Sequence, residues 1–528
     1  MTVQIARIGG GLTEQYSAEI VGGKAANLAR MAALGLPVPP AFVLPISLCA
    51  ATVSGKPKAA QDLAASLVEG IEFLEKTTGK RFGDRRRPLL LSVRSGAARS
   101  MPGMLDTVLN VGCSLPAVHG LVRMTGHPRF ANDCRRRFLE SYGTVVLGID
   151  RAEFAKKRDE LVAAEHVGGE TALDCDAVGH LAAAFEHVIE DEGQVLSDDP
   201  MEHLTSAAQA VFYSWTSERA HTYRKLQHLE DLQGTAVTVQ AMVFGNAGAS
   251  SGAGVAFSRD PSTGAATPVI DVLFDSQGED VVSGDHNPET EDALARSLPE
   301  VAKELRLALR RLEEDFADVQ DAEFTIENGK LWMLQTRAAK RTPRAALRLA
   351  IDFVKEGRIS AAEGLSRLDG LDLRALVNKR LVIAEQPVGQ GICASSGVAV
   401  GRAAFDSESA SRLAGGDEPV ILVRPDTTTA DVAGFATAAG IVTAIGGRTA
   451  HAALVARQMG KPCIVGCTAL SIDLRARVAE FAGAAIREGD WLSIDGEAGA
   501  IYLGRGEVVA ERPEAELAEI ERWRAVAA

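Results

Sequence analysis

Apolar residues recur along this chain with periods that predict a succession of short elements. Val21-Gly22-Gly23-Lys24-Ala25-Ala26-Asn27-Leu28 reads as a glycine turn running into a helix that ends near Gly35. Leu89-Leu90-Leu91 reads as a buried strand that delivers Arg94 to its end, and a loop of small residues follows. Residues 120–230 have helical periodicity broken by loops, with aromatic and arginine-rich faces such as Phe130 to Tyr142, and packing is the role this pattern predicts. Gly234 to Gly245 reads as an alternating strand that includes Gln240-Ala241-Met242-Val243. Residues 343–368 predict two helices broken near Gly357. Strands are expected at Val420 to Val423 and Cys463 to Val465, a hairpin at Trp491 to Leu503 around Asp495-Gly496, and a charged helix at Pro513 to Trp523.

Two windows carry chemistry. After the apolar run Gly440 to Ile445, Gly446 and Gly447 permit a tight turn and Thr449 can cap a helix. Ala452, Val455, Ala456 and Met459 then share one helical face until Gly460 and Pro462 stop it. His451 falls in the first helical turn, where free backbone N–H groups and the helix dipole stabilise an anion, so its imidazole can carry phosphate. The plain alternative is a surface histidine beside a cap.

The second window is the hairpin from Asp321 to Arg337. Asp321 and Glu323 share a strand face by the two-residue period. Adjacent carboxylates are costly unless a cation joins them, and Mg²⁺ with nucleotide phosphates supplies one. A two-residue Asn328-Gly329 turn puts Gln335 and Arg337 on the opposite face. A three-residue loop, Glu327 to Gly329 with Gly329 left-handed, brings all four together, and that loop is the expectation here. The plain alternative is a surface hairpin with outward polar residues.

Two cations of the N-terminal half suit phosphate. Lys24 at the mouth of its glycine turn can reach one, although Gly-Gly-Lys lacks P-loop spacing and a solvated lysine is the plain reading. The Arg94 guanidinium can donate two parallel charged hydrogen bonds; its plain alternative is a structural pair with a carboxylate.

Composition narrows the field. At 528 residues the chain is long enough for about three or four domains. Its 46% apolar and 24% charged content is that of an ordinary globular protein. A net charge of −14 argues against nucleic-acid and membrane-surface partners, and Arg85-Arg86-Arg87 reads as a solvated loop. Seven scattered cysteines suggest no disulfide framework and fit a reducing cytoplasm, while Cys463 and Cys467 find no second pair to complete a zinc site. The start Met1-Thr2-Val3-Gln4 does not read as a signal peptide, and Pro37, Pro39, Pro40 and Pro45 exclude a membrane helix from the apolar run Ala32 to Val53.

The window Gly446-Gly447-Arg448-Thr449-Ala450-His451-Ala452-Ala453-Leu454-Val455-Ala456-Arg457 resembles the phosphohistidine signature of the pyruvate phosphate dikinase and phosphoenolpyruvate synthase family. Arg448 stands where the dikinase pattern has methionine, and Ala450 where it has serine. Ser92 to Thr107 resembles the dikinase more than the synthase. Gln240 and the segment Ser250 to Pro261 are similar to the adenine pocket and hinge of an ATP-grasp domain, with Ala253 and Ser258 in place of threonines.

The resemblance implies an α/β and α+β multidomain chain. An ATP-grasp nucleotide-binding region over 1–340, in two or more subdomains, is followed by a helical connection and linker over 341–390. A β/β/α swivelling phosphohistidine domain over 391–508 and a C-terminal helix over 509–528 complete it. It implies ATP contacts from Lys24, Arg94, the Gly103 backbone, Gln240, Asp321, Glu323, Gln335 and Arg337. Mg²⁺ falls to Asp321 and Glu323, and the catalytic residues are His451 as phosphoryl carrier, Arg94 and Arg337.

The resemblance further implies that ATP gives its pyrophosphoryl group to His451, releasing AMP, and that phosphate or water takes the outer phosphoryl. Complete dikinases continue into a (β/α)₈ barrel of roughly 250 residues. The acceptor is therefore expected on a separate subunit, with pyruvate as the family default and an aromatic hydroxyl or other enol or phenol as the alternative. A non-catalytic nucleotide-sensing protein is the reading from another class, and the retained histidine, acidic pair and arginines stand against it. Glu385 to Gly391 and the stretch after Leu503 are the expected hinges.

Overall fold

The computed structural model describes residues 3–527 except Ser100, Pro102, Gly103, Gly284, Asp285, Arg374, Asp417, 427–430 and Thr449; at Val282, Ser283, Val432, His451 and Ala527 it describes the backbone alone. The chain divides into two compact units. The first is Met1–Ala247 with Trp332–Thr336, and the second is Gly248–Leu331 with Arg337–Ala528.

The first unit is built on an antiparallel sheet of β1 (Ala6–Ile8), β2 (Ala41–Leu44), β3 (Leu91–Gly96), β4 (Thr107–Val111) and β5 (Ala236–Ala241), in the order β1-β2-β5-β3-β4. β5 is central, and all six of its residues are buried. The alternating strand expected over 234–245 is thus shorter and covered on both faces. Val237 and Val239 join the apolar core, while Thr238 and Gln240 are buried on the other face.

Helix α1 (Gly23–Ala33) follows the glycine turn, and α2 (Pro128–Val145) carries the aromatic and arginine-rich face. Phe130, Phe138 and Tyr142 enter the core as expected. The charges pack too: Asp133 accepts from Arg136 and Arg137 on α2 and from Asn246 Nδ2 at 2.7 Å. Burial alone would raise the Asp133 pKa, but the Arg137 and Arg136 guanidiniums outweigh it and hold the carboxylate ionised.

The second unit begins with β6 (Gly252–Phe257), β7 (Val269–Phe274), α3 (Pro299–Phe316), β8 (Gln320–Glu327) and the two ends of β9 (Lys330–Ala338), whose middle, Trp332–Thr336, is counted with the first unit. With the short strand Glu289–Thr290 at the edge, the sheet order is Glu289–Thr290, β7, β6, β8, β9. The β8–β9 turn corrects the sequence expectation. It is a two-residue loop, with both Asn328 (φ 50°) and Gly329 (φ 75°) left-handed, as a type I′ turn requires. The strands do not keep the register that this turn starts. At the far end the Ala339 N–H donates to the Val319 carbonyl at 2.9 Å, a slip of one residue from the pairing of Glu327 with Lys330. Burial along β9 shows where: alternation breaks at Leu334 and Gln335, consecutive half-buried residues.

Beyond it, α4 (Pro343–Lys355) and α5 (Ala361–Ser366) break at Gly357 as read from the sequence. Next come β10 (Asn378–Val382), β11 (Ile392–Ser395), β12 (Val398–Ala404), β13 (Val420–Arg424), β14 (Gly440–Thr443), α6 (His451–Met459) and β15 (Cys463–Val465). β16 (Trp491–Asp495), β17 (Ala500–Leu503), β18 (Glu507–Glu511) and α7 (Glu514–Ala527) end the chain described.

An eight-stranded mixed sheet runs Gly389–Gln390, β17, β16, β12, β13, β14, β15, β11, and β12 to β15 are parallel. The segments expected as plain hinges are partly strand: Gly389–Gln390 pairs with β17, and β18, after Leu503, pairs antiparallel with β10. The C-terminal helix α7 does not stand apart, because Ile520 and Trp523 share a core with Leu347, Ala350 and Ile351 of α4. All seven cysteines are free thiols, and no described helix is long and apolar enough to cross a membrane.

Candidate functional site

In the first unit, two glycines bring Lys24 to the strand that carries Arg94. Gly22 is left-handed (φ 80°), and a Cβ there would lie 1.9 Å from the Gly96 carbonyl oxygen. Gly23 N–H donates to Ala97 O at 2.9 Å. Only glycine permits so close an approach, which seats the first turn of α1 on the end of β3. Arg94 on β3 stands beside Thr238 on β5, and Ser92 beside Gln240, so all four share one face. Two buried polar atoms on that face, Arg94 Nε and Thr238 Oγ1, have no hydrogen-bond partner among the described residues. An unmet buried donor beside an unmet hydroxyl is where a polar ligand repays desolvation. Gln240 Nε2 donates to Pro39 O at 3.1 Å, and Met333 N–H donates to Pro37 O at 2.7 Å. The Trp332–Thr336 segment, with Gln335, is further held by Asn27 of α1, whose Nδ2 donates to Thr336 O at 2.9 Å. Gly103 lies outside the described residues.

In the second unit, the slip in β9 places Arg337 over the acidic pair. Its Nε donates to Asp321 Oδ2 at 2.8 Å, and its Nη1 lies 3.8 Å from Glu323 Oε1. The Asp321 side chain is 2% exposed and that of Glu323 26%. Burial raises the Asp321 pKa, Arg337 opposes the rise, and Glu323 adds to it. Its Oδ1 is buried with no partner among the described residues. A hard cation fits an anionic oxygen in that position. Among the described residues no cluster of three or more histidine, cysteine, aspartate or glutamate side chains is arranged for a metal. A cation here would complete its shell with nucleotide and water oxygens.

His451 is the first residue of α6, with Ala450 as N-cap; Thr449, expected as the cap, and the His451 side chain lie outside what is described. Ala452, Ala453 and Ala456 pack on Ala394, Leu422 and Ile441. Met459, expected on the buried stripe, is 40% exposed, and Arg457 is buried instead. The small alanines turn the helix toward 452, 453, 456 and 457. The Arg457 guanidinium lies 5.2 Å from the Phe257 ring, and Phe257 is the register partner of Asp321. Arg457 and Asp271 were given no role from the sequence; a buried arginine in an otherwise apolar stripe was the available signal.

Residues 59–298 match the family described as pyruvate phosphate dikinase, AMP/ATP-binding domain, and residues 416–499 match PEP-utilising enzyme, mobile domain. The chain is 41% identical over 491 residues to the pyruvate, phosphate dikinase of Clostridium symbiosum, covering 92% of this chain and 56% of that one. Through these two matches the chain carries the nucleotide-binding and mobile domains of the pyruvate phosphate dikinase family. The Rhizobium meliloti dikinase is 42% identical over 522 residues, covering 95% of this chain and 58% of its own length. Pyruvate, phosphate dikinase 2 of Zea mays is 41% identical, with 92% and 56% covered. The chain thus spans little more than half the length of the dikinases it matches. Its architecture is an ATP-grasp nucleotide-binding region followed by a swivelling phosphohistidine domain.

Proposed function

We propose that this chain carries out the ATP half of a dikinase reaction: an imidazole nitrogen of His451 attacks the β-phosphorus of ATP. The bond to the α-phosphoryl oxygen breaks, AMP leaves, and His451 holds a pyrophosphoryl group. Inorganic phosphate or water then takes the outer phosphoryl as pyrophosphate or phosphate, leaving phospho-His451. The observation that carries this reading is the Asp321–Glu323–Arg337 cluster, whose buried carboxylate oxygen has no partner among the described residues, in a chain with the nucleotide-binding and mobile domains of this family.

Lys24 and Arg94 hold phosphate oxygens, Gln240 and the Gly103 backbone position the nucleotide, and Gln335 and Arg337 complete the contacts. Asp321 and Glu323 would hold Mg²⁺, which when bound neutralises charge on the transferred group. Arg337 meanwhile orients the two carboxylates and opposes the rise that burial gives the Asp321 pKa.

None of the described sheets is a parallel eight-stranded barrel. The acceptor in this reading is bound outside these two units, and pyruvate follows from the names of the relatives. Those relatives are single chains, so they lend no support to a separate acceptor subunit. The free thiols fit a reducing compartment, and we place the protein in the cytoplasm. Chromatography of nucleotide products tests the route: incubation with Mg-ATP and phosphate is expected to give AMP and pyrophosphate in equal amounts, and ADP as the sole product would overturn it.

A further inference from the structure

The loop that leads into α6 is clamped to β7 by one carboxylate. Arg448 Nη1 lies 2.7 Å from Asp271 Oδ1, and the Arg448 backbone N–H donates to Asp271 Oδ2 at 2.7 Å. Asp271 is buried, and each of its oxygens accepts a bond from this one residue. Gly446 N–H donates to Asn287 Oδ1 at 3.0 Å. Between them Gly447 admits no side chain: a Cβ would lie 2.6 Å from Pro288 Cγ and 3.1 Å from Asp271 Oδ2. From the helix side, Arg457 Nε donates to Ala453 O at 3.1 Å and Nη2 to the Arg448 carbonyl. Arg448 is therefore gripped twice, by β7 through Asp271 and by α6 through Arg457.

We propose that Arg448 is a positioning residue, whose ion pair with Asp271 holds the loop before His451 against β7 and thereby sets where the start of α6 stands. The argument is one of charge and space. A desolvated carboxylate is tolerated while its cation is in place, and when the loop leaves, both groups return to water together. The contact thus has two discrete states, docked and released. Its bearing on phosphoryl transfer rests on the function proposed above; its bearing on the loop does not.

The Gly446 and Arg448 amides are the docking donors, so their hydrogen exchange reads the clamp directly. The Leu454 amide, which donates to Ala450 O inside α6, reads the helix alone. Arg448→Met keeps side-chain length and removes the charge. Gly447→Ala keeps the charge and removes the space, and Gly447 is not left-handed, so alanine strains only the docked state. Both variants are expected to speed exchange at 446 and 448 by about tenfold or more while Leu454 stays within about twofold. Reversing the pair, with Arg448→Asp and Asp271→Arg together, is expected to restore protection of the Gly446 amide. In single-turnover labelling from ATP, R448M is expected to lower the loading rate at saturating ATP without changing the ATP concentration giving half-maximal rate. Protection at 446 and 448 within about twofold of the unaltered chain in both single variants overturns the clamp. Absence of any His451 label in the unaltered chain overturns the function and leaves the exchange result standing.

Discussion

Arg337 Nε donates to Asp321 Oδ2 at 2.8 Å although the Asn328-Gly329 turn, continued in register, would leave the two residues on opposite faces of their hairpin. One extra residue in β9 makes the meeting possible, and it leaves Asp321 with one oxygen paired and one without a partner among the described residues. A bulge that re-aims a side chain is a common device beside active sites.

The first prediction concerns that second oxygen. Asp321→Asn should lower AMP formation by roughly two to three orders of magnitude, since it weakens the hold on Mg²⁺ without disturbing the strand. Its effect on stability should depend on pH. Asp321 has a raised pKa, from burial first, so its protonated form favours the fold and that contribution fades as pH rises through the raised value. Relative to the unaltered chain, D321N should therefore gain in melting temperature as pH rises from about 4, the ordinary aspartate value, through the raised one. A difference that is flat across that range would show that burial of the charge has no cost.

Thr238 gives a second test. Its hydroxyl is buried on the Arg94 face without a partner among the described residues, so Thr238→Val removes an unmet desolvation cost. The variant should be more stable by about 1 kcal/mol in urea without nucleotide, and should lose that advantage when saturating Mg-ATP is present. Equal stabilisation with and without nucleotide would mean that the face is not part of the nucleotide site.

How much of this was legible in the sequence follows from the range of each interaction. The Gly22-Gly23 turn, the helix behind it, the shared face of Asp321 and Glu323, and β13, β15 and the β16–β17 hairpin all rest on local periods and were read directly. The β9 slip was not, because it is enforced by a bond between Val319 and Ala339, far from the turn that sets the initial register. Arg457 displaced Met459 for a similar reason: alanine contacts with the parallel sheet decide the rotation of α6, and no helical period encodes them. Asp271 could not be found at all, since its partner Arg448 lies on the far side of most of the second unit's sequence.

A third prediction separates buried from exposed charge pairs. Glu313 of α3 accepts from Ser258 Oγ at 2.8 Å and pairs with Arg259 and Arg358 at 3.0 Å, with its side chain 7% exposed. Glu313→Gln should cost roughly 3 kcal/mol in urea unfolding, because Arg259 is left buried with part of its countercharge gone. Breaking the exposed Arg344–Glu497 pair by Glu497→Gln should cost less than about 1 kcal/mol. Similar costs for the two would contradict the burial argument.

The central claim is that His451 takes its phosphoryl group from the β-position of ATP, and transfer of radiolabel tests it most directly. With ATP labelled at the β-phosphorus, Mg²⁺ and phosphate, the chain should acquire acid-labile, base-stable label in step with AMP release, and His451→Ala should acquire none. Label that persists in H451A, or that enters from γ-labelled but not β-labelled ATP, would contradict it.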